Sequence, residues 1–294
     1  MQTITARINR EELVITALLG AVTSPAMDAN PYEVSARGEP VVPVGTGGIC
    51  YNVRVGMAAL GWVAEGIEPG ASISNPVEGA NQALNIFACV GNRVTVRGGA
   101  ASGAIGTVTG KHEGFRTFQH VLVHLAPEAL ESLLPGDQLL VRAIGRGMRL
   151  PALPDIACHS LGPELWDAWA PEQDRDTLRV RVAAEIPPEL MGSGSGRLSA
   201  ATSIEIQSGD WTALQRHGLE TLRLGDLVAF RDWDATYFTG YRKDAVTVGV
   251  VSYGGSRLSG HGPGVTILLS SAGGHIASVI DPSANLATLL KLEV

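Results

Sequence analysis

Apolar and polar positions alternate with a period of two along much of this chain, which predicts strands far more often than helices. Val94 and Val96 alternate with polar neighbours and a glycine turn follows. Gly103 and Gly106 then flank Ile105, and Val108 resumes the alternation before His112. Segments 93–97, 105–111, 119–124 and 137–143 are expected to form antiparallel strands of one small barrel, with no helix between 104 and 124. Similar patterns predict strands at Tyr51–Val55, Ala71–Ser74, Leu178–Ala184, Ala245–Tyr253, Val265–Ser270 and His275–Ile280. Leu13–Val22 reads as a buried strand or a short helix, and residues 23–49, rich in Pro and Gly, read as surface loop.

Helical signals are few and short. Asn75 can cap a helix with Pro76 at its first position and Glu78 closing a capping box, which puts Ala80, Leu84 and Phe87 on one stripe. Pro163–Trp169 is amphipathic, Asp210–His217 is stopped by Gly218, and Ala284–Leu290 closes the chain. The fold class is therefore mainly β (α+β): a barrel or sandwich core with a few short helices. It divides into an N-terminal β-rich segment (1–88), a small barrel (89–145) and a C-terminal β-rich domain (146–294).

Composition narrows the function. Apolar residues make up 45% of the 294 and charged ones 17%, so a sizeable core is available. The net charge of −7 and dispersed cations, never more than two in a row, argue against nucleic acid as a partner. Cys50, Cys89 and Cys158 form no close pair, which fits a reducing cytoplasm. Glu11 and Glu12 precede the apolar stretch at Leu13 where a secretory signal carries positive charge, and no apolar run is long enough to span a membrane. There is no nucleotide or flavin motif. The expectation is a cytoplasmic protein, a homo-oligomer, with a small-molecule substrate.

The run Gly91–His112 resembles the KOW motif of SH3-like barrels in ribosomal and transcription proteins, through its Val-x-Val, spaced glycines and final valine. That resemblance implies an SH3-like barrel. Three further phrases together resemble a prokaryotic domain-of-unknown-function family, the one numbered 4438. They are Gly45–Gly56 with Gly61–Gly70, Met191–Gly196, and Ala245–Val251 with Ser259–Val265. The resemblance implies a β-rich fold with an SH3-like insert and supplies no activity. It also implies an acidic residue after Gly56 and an acid–His pair before the Glu-Pro-Gly turn, where this chain has Met57 and Glu65-Gly66. A shorter similarity links Glu68-Pro69-Gly70 and Gly225-Asp226 to turns of the acetamidase/formamidase family, which hydrolyse small amides.

Candidate chemistry centres on His261, set between Gly260 and Gly262 just ahead of Pro263 and a strand. A turn needs no imidazole there, and one near neutral pKa can move a proton or hold a metal. Asp232 and Asp234 point to one side if the backbone stays extended, as an acid/base pair or a divalent-metal site requires. Cys50 follows Gly-Thr-Gly-Gly at the mouth of a strand, where a nucleophile would be exposed, although the sequence favours a buried structural thiol there. Gly192, Ser193, Gly194 and Ser195 offer backbone amides for an anion, and Tyr237 offers a polar tip. His120 and His124 share a strand face with no acid in the run, and His112, His159 and His217 sit at turns or helix ends. The functional expectation is an enzyme that hydrolyses or rearranges a C–N bond of a small polar substrate, with His261, Asp232, Asp234 and Cys50 catalytic. Gly192–Ser195, Tyr237 and Glu68 would bind the substrate, and a metal is left open. The alternative is a non-catalytic scaffold that uses the barrel for protein or RNA contacts.

Overall fold

The computed structural model describes residues 4–26, 32–42, 45–113 and 119–293. Six strands carry the barrel: β1 (Thr16–Val22), β2 (Gly70–Ser74), β3 (Arg93–Val96), β4 (Ile105–Glu113), β5 (Gln119–Leu125) and β6 (Gln138–Ala143). They pair in the order β1-β6-β3-β4-β5-β2, every pair antiparallel, and β2 returns to β1 to close the barrel. Closure leaves no long open edge along the barrel, the usual liability of a sheet. The alternating valines point inward: Val94, Val96, Val108, Val121, Val123 and Val141 are all buried. Each fully buried Val or Leu contributes about 1.5–3 kcal/mol.

The four strands expected from the pattern are present. The described residues of 104–124 hold no helix, while 114–118 lie outside them, as do 27–31 and 43–44 of the expected loop 23–49. Two strands of the barrel, β1 and β2, come from before residue 89. Leu13–Val22 proves to be a strand from Thr16 onward, with Val14 and Ile15 exposed.

Two expectations need correction. Tyr51–Val55 is not a strand: strand structure ends with Ile49–Cys50. Val53 and Val55 are buried in two different apolar clusters, and Gly56 N–H is tied to Leu224 O at 2.7 Å. The alternation there serves a chain crossing between cores. Helix α1 (Glu78–Phe87) starts two residues later than expected, because Asn75 Oδ1 accepts from Val77 N–H (3.0 Å) and so makes a turn ahead of it. Of the expected stripe only Leu84 is buried, alongside Asn85.

Beyond the barrel, β7 (Ala157–Cys158), β8 (Thr177–Val182), β9 (Ala184–Ile186), β10 (Ser203–Glu205), β11 (Leu227–Asp234), β12 (Gly240–Tyr253), β13 (Gly264–Ser271) and β14 (Ile276–Ile280) follow. One sheet runs β7-β13-β12-β11-β9, with β10 also on β13, and β8 and β14 pair in parallel in a second. The remaining α-helices are α2 (Pro127–Ser132), α3 (Pro163–Trp169), α4 (Trp211–Arg216) and α5 (Leu286–Leu289). Asp210 caps α4 by accepting from Ala213 N–H at 3.0 Å. Strand β4 packs against β12 and β13, and Lys111 N–H donates to Thr266 Oγ1 at 2.8 Å across that contact. Barrel and sheet therefore meet where β4 ends. No helix among the described residues is long and apolar enough to cross a membrane.

Candidate functional site

Glu68 sits on the turn that launches β2, its own N–H held by Gly45 O at 3.0 Å. The side chain is fully buried, where a lone carboxylate would be costly. It is not alone. Residues His112 on β4 and His120 on β5 lie directly opposite in the ladder, so both rings leave the same face of the barrel. His112 Nδ1 is 2.5 Å from Glu68 Oε1, and His120 Nδ1 is 3.0 Å from Oε2. Gly47 N–H donates to Oε2 at 3.0 Å and the Ser72 hydroxyl closes the set. Burial pulls the Glu68 carboxyl upward, but the charge and hydrogen bond of His112 and the bond from His120 outweigh it. The group is held well below the usual carboxylate range.

The His112 ring stacks on Tyr253 of β12, with ring centres 3.7 Å apart and planes 23° from parallel. The Tyr253 hydroxyl lies 2.9 Å from Ser203 Oγ and donates to Glu205 Oε1 at 3.0 Å, both on β10. Burial first, and then the Glu205 charge, push the phenol well above its ordinary value, so it stays a donor. Glu205 Oε2 in turn pairs with His261 Nδ1 at 2.6 Å. A set of contacting side chains thus runs from the buried Glu68 through His112, Tyr253 and Glu205 to the partly exposed His261.

The hydrogen bond to the Glu205 carboxylate raises the His261 pKa; partial burial opposes it, and the Glu205 charge adds to it. A raised folded-state value means that this pair stabilises the fold fully below the ordinary value of ~6.5 and loses that contribution as pH climbs through the raised one. Urea melts of wild type and His261→Gln between pH 6 and 9 should show this slope in the wild type only. Equal slopes would refute the pairing.

The loop Gly192–Gly196 does lie against His261's loop, since Ser193 N–H donates to Gly260 O at 2.8 Å. Its amides are largely committed: Gly192 to Glu205 O, Ser193 to Gly260 O and Gly196 to Thr239 O. An anion would therefore have to use what remains near Gly194 and Ser195. Gly262 is required for space, because a Cβ there would stand 1.8 Å from Ile206 O.

Asp232 and Asp234 do not remain a pair. A bulge between Arg231 and Trp233 puts Asp232 in left-handed backbone (φ 55°), where its Oδ1 accepts from Asp244 N–H at 2.7 Å. Asp234 Oδ1 accepts from Thr236 N–H at 2.8 Å and from its hydroxyl at 2.6 Å, while Oδ2 faces Arg242 at 3.5 Å. Cys50 stands at the barrel's edge pairing with Gly70, its thiol 3.8 Å from Asn52 Oδ1 and its pKa raised by burial. Tyr237 is largely exposed. None of these four is bonded to Glu68, His112 or His261. Among the described residues, no group of three or more His, Cys, Asp or Glu side chains is placed to hold a metal ion.

Models of the N-terminal and C-terminal domains of a domain of unknown function, DUF4438, match residues 32–167 and 168–290. The chain belongs to the DUF4438 family. The two DUF4438 matches meet inside helix α3. A solved structure titled "Crystal structure of TM1086" is 36% identical, with a TM-score of 0.90, and the alignment covers 97% of this chain and 99% of that one. No curated protein matches.

In this DUF4438 chain the departures at 57 and 65–66 take distinct forms. Met57 is exposed. Glu65 is buried and gripped by Arg257, with its Nε at 2.5 Å and N–H at 2.7 Å, and by Ser256 Oγ at 2.6 Å. Gly66 lies over the His112–Tyr253 stack, where a Cβ would stand 3.4 Å from His112 Cε1. Sequence reasoning passed over His112 and His120 because their acid lies 44 and 52 residues earlier. The hairpin itself was the available signal, since pairing 105–111 with 119–124 brings 112 and 120 together near its turn, and a bulge after Val108 then sets them opposite.

Proposed function

We propose that this protein is an enzyme working on a small polar substrate by general acid–base chemistry, and that the reaction hydrolyses or rearranges a C–N bond. The reading rests on one observation: Glu68, wholly buried, takes the Nδ1 of both His112 and His120. A carboxylate that holds Nδ1–H fixes the tautomer and leaves Nε2 as the basic atom. In the hydrolytic form, His112 Nε2 removes a proton from water as its oxygen attacks the carbon. Glu68 stabilises the imidazolium, which then returns the proton to the departing nitrogen. Tyr253 keeps the ring in plane, and Glu205 with His261 holds Tyr253. The proposal carries a cytoplasmic homo-oligomer that makes no use of nucleic acid, in keeping with the acidic balance.

Ammonia release from a panel of small amides, amidines and ureas is the test. Wild type should turn over at least one class, and His112→Asn should lose about 10²–10⁴-fold in rate when assayed at a temperature where circular dichroism shows it folded. No release from any class, or a fully active folded variant, defeats the proposal. A scaffold role has its own support in an exposed cluster of Tyr237, Phe238 and Tyr241, with Leu198 bridged to Phe238. Under that reading Phe238→Ser would remove partner binding and His112→Asn would change nothing.

A further inference from the structure

A second buried polar cluster lies where the barrel meets the C-terminal sheet, and it centres on Lys111. The chain has three lysines, and Lys243 and Lys291 are both exposed. Lys111 is 1% exposed, with Nζ 2.8 Å from Ser160 Oγ and 3.5 Å from Ala200 O. Among the described residues no carboxylate pairs with it. His159 Nε2 and Ser199 Oγ, on the residues preceding those two partners, are buried without a hydrogen-bond partner. The Arg146 charge acts on Lys111, Cys89 and His159 alike. A buried ammonium for which the described residues offer no carboxylate is an unfavourable arrangement.

We propose that Lys111 is a carbamylation site, where carbon dioxide adds to Nζ and the carbamate is received by Ser160, Ser199 and His159. Carbon dioxide is small and uncharged, so it can reach an amine that larger electrophiles cannot. The neutral amine's lone pair attacks the carbon, one C–O π pair moves onto oxygen, and nitrogen releases a proton to solvent. One amine and one CO2 thus give one carbamate and one proton, with no change in oxidation state. The product replaces the buried cation with an anion and gives the unpartnered Ser199 hydroxyl an acceptor.

The surroundings keep the amine available. Burial brings Lys111 down to about 8, with Cys89 opposing and Arg146 adding. Burial also pushes the Cys89 thiol up to about 11 and His159 down to about 4, so both are neutral near pH 8. Asp234 acts on His159 and is itself engaged by Thr236 and Arg242. An arginine at 111 would keep its proton and could not react this way.

The test uses the full chain in ¹³C-bicarbonate at mildly alkaline pH. A carbamate carbon resonance should appear in wild type and be lost in Lys111→Gln. Because that variant could unfold, wild type is also trapped with triethyloxonium and digested, which should place the carboxyethyl adduct on the peptide containing Lys111. An absent resonance, or an adduct confined to Lys243, Lys291 or the N-terminal amine, overturns the proposal.

Discussion

Glu68→Ala is expected to destabilise the fold by about 3–5 kcal/mol, the range for removing one partner from a buried charged set. The substitution leaves two imidazoles, the Ser72 hydroxyl and the Gly47 N–H around a position that no longer accepts a hydrogen bond. Each buried donor stranded in this way costs about 1–3 kcal/mol. Glu68→Gln keeps the volume and removes the charge, so it separates packing from electrostatics. Because the folded-state carboxyl titrates below its unfolded value, its contribution is present above that value, near pH ~4.3, and is lost progressively as pH falls. The stability gap between wild type and Glu68→Gln should therefore narrow below about pH 4. Chemical denaturation across pH measures both effects, and a loss under about 1 kcal/mol for Glu68→Ala would mean that the charge is not held as described.

Gly264→Ala should be as damaging, for a steric reason. A Cβ at 264 would stand 1.7 Å from Cζ of Tyr253 and 2.1 Å from Cε1, so the methyl and the ring cannot coexist. Both residues lie in paired strands, Tyr253↔Gly264, so neither backbone can move aside cheaply. The ring must leave, and the His112 stack and the bond to Glu205 go with it. Overpacking of this kind costs about 1–3 kcal/mol or more, and loss of the buried phenol's partners adds to it. The clash involves the ring atoms, so Tyr253→Ala should relieve it. The double variant should be more stable than the sum of the two single losses implies. Strict additivity in the double-mutant cycle would show that the ring and the glycine do not meet.

Strands whose residues alternate between a wet and a dry face were legible in the sequence, because that pattern is local. The four barrel segments around Val94, Val108, Val123 and Val141 needed only the period of two and the glycine punctuation. The capped helix at Asp210 needed only its own residues. Tyr51–Val55 shows where alternation misleads: Val53 and Val55 are buried in separate clusters, so an alternating pattern arose without a sheet. Asp232 and Asp234 show the same limit, since one bulge was enough to separate a pair of carboxylates that an extended chain would have aligned.

The candidate site divides along the same line. That His261 faces the glycine loop at 192–196 could be read from the glycines that let two backbones meet. Its partner Glu205 could not, nor could the link through Tyr253 to His112. By itself the sequence determined the strand-rich class, the barrel segments and the acidic balance, which follow from composition and short-range periodicity, and the family through the three phrases that resemble it. Only the tertiary structure decided that β1 and β2 close the barrel, that Glu68 meets His112 and His120, and that Lys111 is buried with no carboxylate beside it among the described residues. Those facts depend on which strands become neighbours, and strand neighbours are set by the burial of whole faces across long stretches of chain.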